Sequence, residues 1–273
     1  MNKVSIIVNI GLLLWALFTL APLLPLLFCA FTGKMYLIDV NFNDFSLDFF
    51  MKVISMMGSS YFNSLMTALG AVLLNVPLCF LAAYAFAKFR FKAKSLLYNM
   101  QMLIQSIPMT AGLIGFFVMF KTYGLLNNLF SLSIVGALSV IPINIWFATD
   151  YIRKIPRELE EAAQIDGASR LQLLIKVILP LATPLLVTMS LFAFIATWNE
   201  FIYAVVLITK SSLFTYPIAL LALGTEAVSA PVGTYRWGFL AAGSFIGCLP
   251  ILITFVLFRK YFIEGLTRGA LKA

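Results

Sequence analysis

Glu158-Leu-Glu-Glu-Ala-Ala-Gln-Ile-Asp166-Gly167-Ala-Ser-Arg170-Leu-Gln-Leu-Leu-Ile-Lys-Val-Ile-Leu179-Pro180 is a charged, helix-forming island in a chain that is otherwise nearly all apolar. Pro156, just ahead of it, suits the first turn of a helix, where a missing N–H costs nothing. Glu158, Glu160 and Glu161 then fall near the positive end of that helix's dipole. Leu159, Ala162 and Ala163 recur at i, i+3 and i+4 and form one narrow, small-residue face, with Glu158 and Glu161 on the face beside it. Asp166-Gly167 ends the helix, because glycine readily takes the left-handed conformation past a C-cap. Ser169-Arg-Leu-Gln172 matches a capping box and starts a second helix, with Leu173, Leu174 and Val177 along its apolar side. The expectation is two short helices over about 156–176, set at an angle, with an Ala/Glu ridge facing outward. The plainer alternative is a solvated loop whose charges keep it out of lipid.

The rest of the chain decides where this island lies. The 273 residues are 62% hydrophobic and 11% charged, with a mean hydropathy of +1.00. Soluble domains carry about a quarter charged residues, so this is a membrane protein by composition. Apolar runs of spanning length occur at about 6–31, 61–87, 96–120, 129–148, 177–208 and 238–258, and predict an all-α protein with six transmembrane helices in one domain, 1–273. The first run exceeds the h-region of a signal peptide, and bulky Phe28 precedes Cys29 where lipoprotein cleavage needs a small residue, so it reads as an uncleaved span. Pro22 and Pro25 bend that span, Pro108 and Gly112 interrupt the third, and Pro142 lies in the fourth. Gly70, Ala71, Ala82 and Ala83 allow close helix packing in the second. Cys29, Cys79 and Cys248 all lie in apolar runs and read as small buried hydrophobes.

Counting Lys and Arg on alternate sides orients the chain. One side holds Lys3, Lys88, Arg90, Lys92, Lys94, Arg153, Lys154, Arg157, Arg170, Lys176, Arg259, Lys260, Arg268 and Lys272; the other holds Lys34, Lys52, Lys121, Lys210 and Arg236. The basic side is expected in the cytoplasm, with both termini and the island. The same distribution explains the net charge of +8 by span ends facing membrane lipid and not by nucleic acid.

Function classes narrow by elimination. No Gly-x-x-x-x-Gly-Lys-Ser/Thr loop occurs, so the chain has no phosphate cradle of that type. It has no histidine, which removes the commonest general base and metal ligand, and neither catalytic nor metal-binding residues nor a cofactor are expected. Glu200 is the one acidic residue inside an apolar run. A charge there usually faces a cavity or serves function. Trp198, Asn199 and Glu200 are candidates for a substrate path, in which amide and carboxylate offer hydrogen bonds to a passing solute. The alternative for Glu200 is a structural hydrogen-bond group near the outer surface. An ion-gradient-driven secondary transporter using Glu200 is the competing function class, though such transporters commonly show repeats and none is visible.

Glu161-Ala-Ala-x-x-Asp166-Gly167-Ala168, followed by Ile178-Leu179-Pro180-Leu181 and Pro184, resembles the EAA motif of permease subunits of bacterial ABC importers. Trp198-Asn-Glu-Phe201 and the ending Tyr261-Phe-Ile-Glu-Gly265-Leu-Thr-Arg-Gly269-Ala-Leu-Lys272 resemble the shorter permease of carbohydrate importers, the family of the smaller maltose-importer subunit. One departure is Leu where that family often has an aromatic midway along the second helix. The resemblance implies the type I ABC importer permease fold in the bacterial inner membrane. It also implies a second permease subunit, two ATP-binding subunits that hydrolyse the ATP, an extracytoplasmic sugar-binding protein and a sugar substrate. On it, Glu158, Glu161, Ala162, Ala163, Asp166, Gly167 and Ala168 would dock on the ATPase, and the loop from Lys210 to Trp237 would approach the binding protein. The tail from Gly265 to Ala273 would reach between the ATPase subunits. For the loop the plain alternative is a simple connection.

Overall fold

Prolines cut the apolar sequence into bent helix pairs. The computed structural model describes residues 3–34, 44–225 and 237–270, and every regular element among them is helical. α1 (Lys3–Leu20) passes to α2 (Leu23–Thr32) at Pro22 with a bend of 43°. α4 (Lys94–Gln105) stops ahead of Pro108, and a tight turn over Met109–Gly112 leads into α5 (Leu113–Thr122), the two arms bent by 91°. α6 (Leu129–Ser139) and α7 (Ile141–Arg153) meet at 49° at Val140, two residues before Pro142. α9 (Arg170–Leu181) and α10 (Thr183–Trp198) meet at 76° at Ala182, two residues before Pro184. The cause is shared: proline lacks an N–H and its ring crowds the carbonyl four residues back. The break residues accordingly leave the helical basin, Val140 at φ −114°, ψ 5° and Ala182 at φ −88°, ψ 5°.

α3 (Asp48–Lys88) and α13 (Trp237–Ala270) contain Pro77 and Pro250 yet stay continuous. These two are long and apolar enough to cross a membrane alone, and with the four bent pairs the described residues supply up to six crossings by length and composition. The remaining helices are α8 (Arg157–Ile165), α11 (Ile202–Leu207) and α12 (Tyr216–Thr225).

Three elements depart from the sequence reading. α3 begins at Asp48, well ahead of the run 61–87 expected as the second span, with the acid at the positive helix end. The apolar run 177–208 is divided. Its first residues complete α9, α10 follows, and the chain breaks again at Asn199–Phe201 before α11. The stretch 210–237, expected as a loop approaching the binding protein, contains α12; residues 226–236 lie outside the described residues, as do 35–43.

The chain divides into two compact units, Met1–Tyr61 with Tyr216–Leu249 and Phe62–Thr215 with Pro250–Ala273. The first has a core of Cys29, Ala30, Val53, Met57, Tyr216, Leu223, Ala241 and Ala242. The Tyr216 hydroxyl donates to the Gly243 carbonyl at 2.7 Å, and its ring lies where a Cβ on Gly247 would stand. Bare backbone at i and i+4 thus lets α12 lie close on α13. Cys248 is exposed, contrary to the expectation of burial. It lies on a part of α13 that the unit's own core does not cover.

The second unit packs Cys79, Phe80, Ala83 and Tyr84 of α3 against Ile145, Ala148 and Ile152 of α7 and Leu173, Ile178, Leu185 and Met189 of α9 and α10. A buried polar knot crosses this core. Asn75 donates to the Ala137 carbonyl at 2.7 Å, and Asn144 donates to Asn75 Oδ1 at 2.6 Å and to the Met189 carbonyl at 3.2 Å. Both side chains are fully buried. Between apolar helices such bonds are worth about 1–2 kcal/mol at most, and here they join four helices at one point.

Candidate functional site

α8 and α9 build the charged island from local chemistry. Pro156 stands at the N-cap of α8, and Glu158 and Glu160 fall in its first turn. At the other end the Gly167 N–H donates to the Gln164 carbonyl (3.0 Å) and the Ala168 N–H to the Ala163 carbonyl (2.9 Å). These are the two bonds of a Schellman cap, and Gly167 holds the required left-handed φ of +80°. Ser169 then caps α9: its hydroxyl accepts from the Gln172 N–H, and the Gln172 side chain accepts from the Ser169 N–H at 2.8 Å. Within α9, Leu174–Ile178 form a wide π turn. It sits where Pro180 offers no N–H to the Lys176 carbonyl and crowds it, the kind of conflict such turns absorb.

The island is anchored beneath and bare on top. Leu173 and Ile178 are buried, and Ala163 packs against the core. Glu158, Glu161, Ala162, Asp166 and Gly167 are exposed, and Ala163 and Ala168 are half-buried. Ile165 is 87% exposed and Leu171 64%, an apolar pair that sequence reasoning passed over. Their signal was present: both break the polar pattern of an otherwise charged surface.

Glu160 turns the other way. It forms an ion pair with Lys88 at the end of α3, the two side chains being only 13% and 9% exposed. Lys88 Nζ also donates to the Ile155 carbonyl at 3.2 Å, and the Arg170 guanidinium lies 5.7 Å from the ring centre of Phe89. The helix pair is therefore tied to the end of α3 by one near-buried ion pair and one cation–π contact.

The second candidate group lies at the break between α10 and α11. Trp198 is 3% exposed and stacks on Phe194 at 5.9 Å. Asn199 is exposed and donates to the Ile195 carbonyl. Glu200, half-buried, accepts from the Tyr203 N–H at 2.9 Å, so its carboxylate caps α11. Tyr203 in turn donates its hydroxyl to the Met109 carbonyl at 2.6 Å. That carbonyl belongs to the α4–α5 break, beside a cavity of about 550 Å³ lined by Gln101, Gln105, Pro108, Phe116, Ser139 and Pro142 among others. Both amide atoms of Gln101 are shut from solvent there without a hydrogen-bond partner among the described residues. Backbone broken at membrane depth is tolerated where it lines a cavity.

Fold and site together define a polytopic α-helical membrane protein with an exposed helix pair braced from within. Residues 75–264 match the family described as binding-protein-dependent transport system inner membrane component, and the chain belongs to that family. It is 33% identical over 214 residues to the maltodextrin transport system permease protein MdxG of Bacillus subtilis (strain 168), covering 78% of this chain and 74% of that one. It is 34% identical over 211 residues to the trehalose/maltose transport system permease protein MalG of Thermococcus litoralis, covering 77% and 74%. Its fold is similar to the crystal structure of a bacterial ABC transporter involved in the import of the acidic polysaccharide alginate. The TM-score is 0.78 at 24% identity, over 95% of this chain and 97% of that one.

Proposed function

We propose that this chain is a permease subunit of an ATP-driven importer of sugars or oligosaccharides, and that α8 and α9 receive the motion of the ATPase subunits. The observation that carries this reading is the island itself: two capped helices, anchored by Leu173 and Ile178, with Glu158, Glu161, Ala162 and Ile165 left uncovered. Family membership and the sugar permeases among the relatives support the substrate class. The island faces the cytoplasm together with both termini, following the Lys and Arg bias. The partners are a second permease, two ATP-binding subunits that hydrolyse the ATP, and an extracytoplasmic sugar-binding protein. ATP hydrolysis falls to the partner subunits, since this chain holds no Gly-x-x-x-x-Gly-Lys-Ser/Thr loop.

Glu161 makes a charge-assisted contact with a base of the ATPase, and Gly167 holds the turn between the helices. Glu161→Lys is expected to weaken ATPase attachment at least thirtyfold, the equivalent of about 2 kcal/mol for a broken charged contact. Gly167→Val is expected to do the same through the turn. Co-purification of the tagged permease pair with its ATPase subunits, read beside uptake of labelled maltodextrins, measures both. ATPase retained at the wild-type ratio with uptake intact would refute the docking role.

Asn199 and Glu200 belong to the transport path, supported by the broken backbone and the cavity next to Tyr203. Glu200→Ala removes one carboxylate hydrogen bond, worth about 1.4 kcal/mol, and is expected to lower uptake about tenfold in an assembled complex. Unchanged uptake and assembly together would leave Glu200 with a capping role alone.

A further inference from the structure

We infer that this chain binds the phosphate headgroup of an anionic phospholipid in a cavity between the start of α4 and the end of α7. The cavity, about 580 Å³, is lined by Lys94, Arg153, Ser95, Phe91, Leu96 and Tyr98 among others. Two cations converge on it from different helices. Arg153 is the last residue of α7, its guanidinium 5.3 Å from the ring centre of Tyr98. Lys94 opens α4 and donates to the Phe89 carbonyl at 2.9 Å, which leaves two further ammonium protons to place. The nearby acid, Asp150, is engaged by Lys154 at 3.0 Å. Neither Lys94 nor Arg153 has an ion pair among the described residues. The first turn of α4 has no side-chain cap either, its N-cap being Ala93 in a left-handed conformation.

The surroundings select a lipid over a soluble phosphate. Phe91 and Leu96 line the cavity and are 41% and 60% exposed, and Leu97 beside them is 49% exposed. A headgroup held by Lys94 and Arg153 would therefore lay its glycerol and acyl chains on exposed aromatic and aliphatic surface. A free anion uses only the cations. The site stands at the ends of two spanning helix pairs on the side with the Lys and Arg excess. Basic pockets between helices on that side bind acidic headgroups. The inference does not depend on which solute is transported.

The test is thermal unfolding of the complete importer, purified with its partner subunits in detergent and titrated with phosphatidylglycerol, phosphatidylcholine or inorganic phosphate. Phosphatidylglycerol is expected to raise the midpoint by about 3 °C or more, and the other two to leave it unmoved. Lys94→Gln with Arg153→Gln is expected to remove at least half of that rise, while Arg90→Gln with Lys92→Gln, in the same basic turn but outside the cavity lining, keeps it. A full rise in the Lys94/Arg153 variant, an equal rise with phosphatidylcholine, or the rise produced by phosphate alone overturns the proposal. If the double variant does not assemble, Lys94→Gln alone is held to the same comparison, with partial loss expected and an undiminished rise decisive against it.

Discussion

Replacing Glu160 with glutamine is expected to leave the importer assembled while lowering transport about thirtyfold. The reasoning starts from the ion pair with Lys88, whose side chains are 13% and 9% exposed. Removing one partner of a buried pair costs about 3–5 kcal/mol. The residual exposure and the Ile155 carbonyl, which keeps hold of the Lys88 ammonium, reduce that to about 2 kcal/mol, or roughly thirtyfold. The loss falls on the orientation of α8 and not on its outer face, because Glu158 and Glu161 stay exposed. ATP hydrolysis by attached subunits should therefore continue while uptake falls. The reversed pair, Lys88→Glu with Glu160→Lys, is expected to recover a large part of the uptake. Loss of the ATPase subunits from Glu160→Gln, or no recovery on reversal, would show that the pair does not act as a brace.

Gly136→Val is expected to prevent assembly altogether. A Cβ on Gly136 would stand 2.8 Å from the Thr197 Cβ and 2.6 Å from its Cγ2, so α6 and α10 are in contact there through bare backbone. Thr197 is 5% exposed and its hydroxyl is committed to the Ala193 carbonyl at 2.7 Å, which leaves the side chain nowhere to turn. Overpacking of a core costs about 1–3 kcal/mol and more where nothing yields; a branched side chain lies at or beyond the top of that range. Membrane-extracted protein measured by size exclusion should show aggregate or no chain at all. Gly136→Ala combined with Thr197→Gly is expected to recover a folded peak. If Gly136→Val alone gives a normal peak, the close approach is not what holds α6 to α10.

Much of the architecture was legible because its causes are local. Ser169 and Gln172 carry their capping box in four residues, and Gly167 announces a left-handed turn by itself. Pro22, Pro108 and Pro142 mark bends because each removes a helix donor, whereas the bend ahead of Pro184 falls inside the run 177–208, which reads as one span. The same rule read alone would bend α3 at Pro77 and α13 at Pro250, and those helices run on. What escaped the sequence is which of three nearby carboxylates points inward. Glu158, Glu160 and Glu161 are alike in local chemistry, and only the arrival of Lys88 from the end of α3 separates them. Asn75 is one polar residue in an apolar run. Its meaning lies in the Ala137 carbonyl and Asn144, which only the tertiary fold brings to it. Glu200 had both a path reading and a structural one, and the hydrogen bond to the Tyr203 N–H gives the structural one a definite form.

Gly167 has no neighbour within 4 Å of where a Cβ would sit, while its φ is +80°. The turn between α8 and α9 therefore discriminates by handedness and not by size. An L-residue meets a left-handed penalty there of about 1–2 kcal/mol, least for Asn and Asp, however much room its side chain has, whereas a D-alanine would fit without strain. Mirror-image substitution by chemical ligation thus separates two demands that ordinary mutagenesis confounds: the turn's need for a left-handed residue, and any need of the docked partner for an unadorned backbone at that spot.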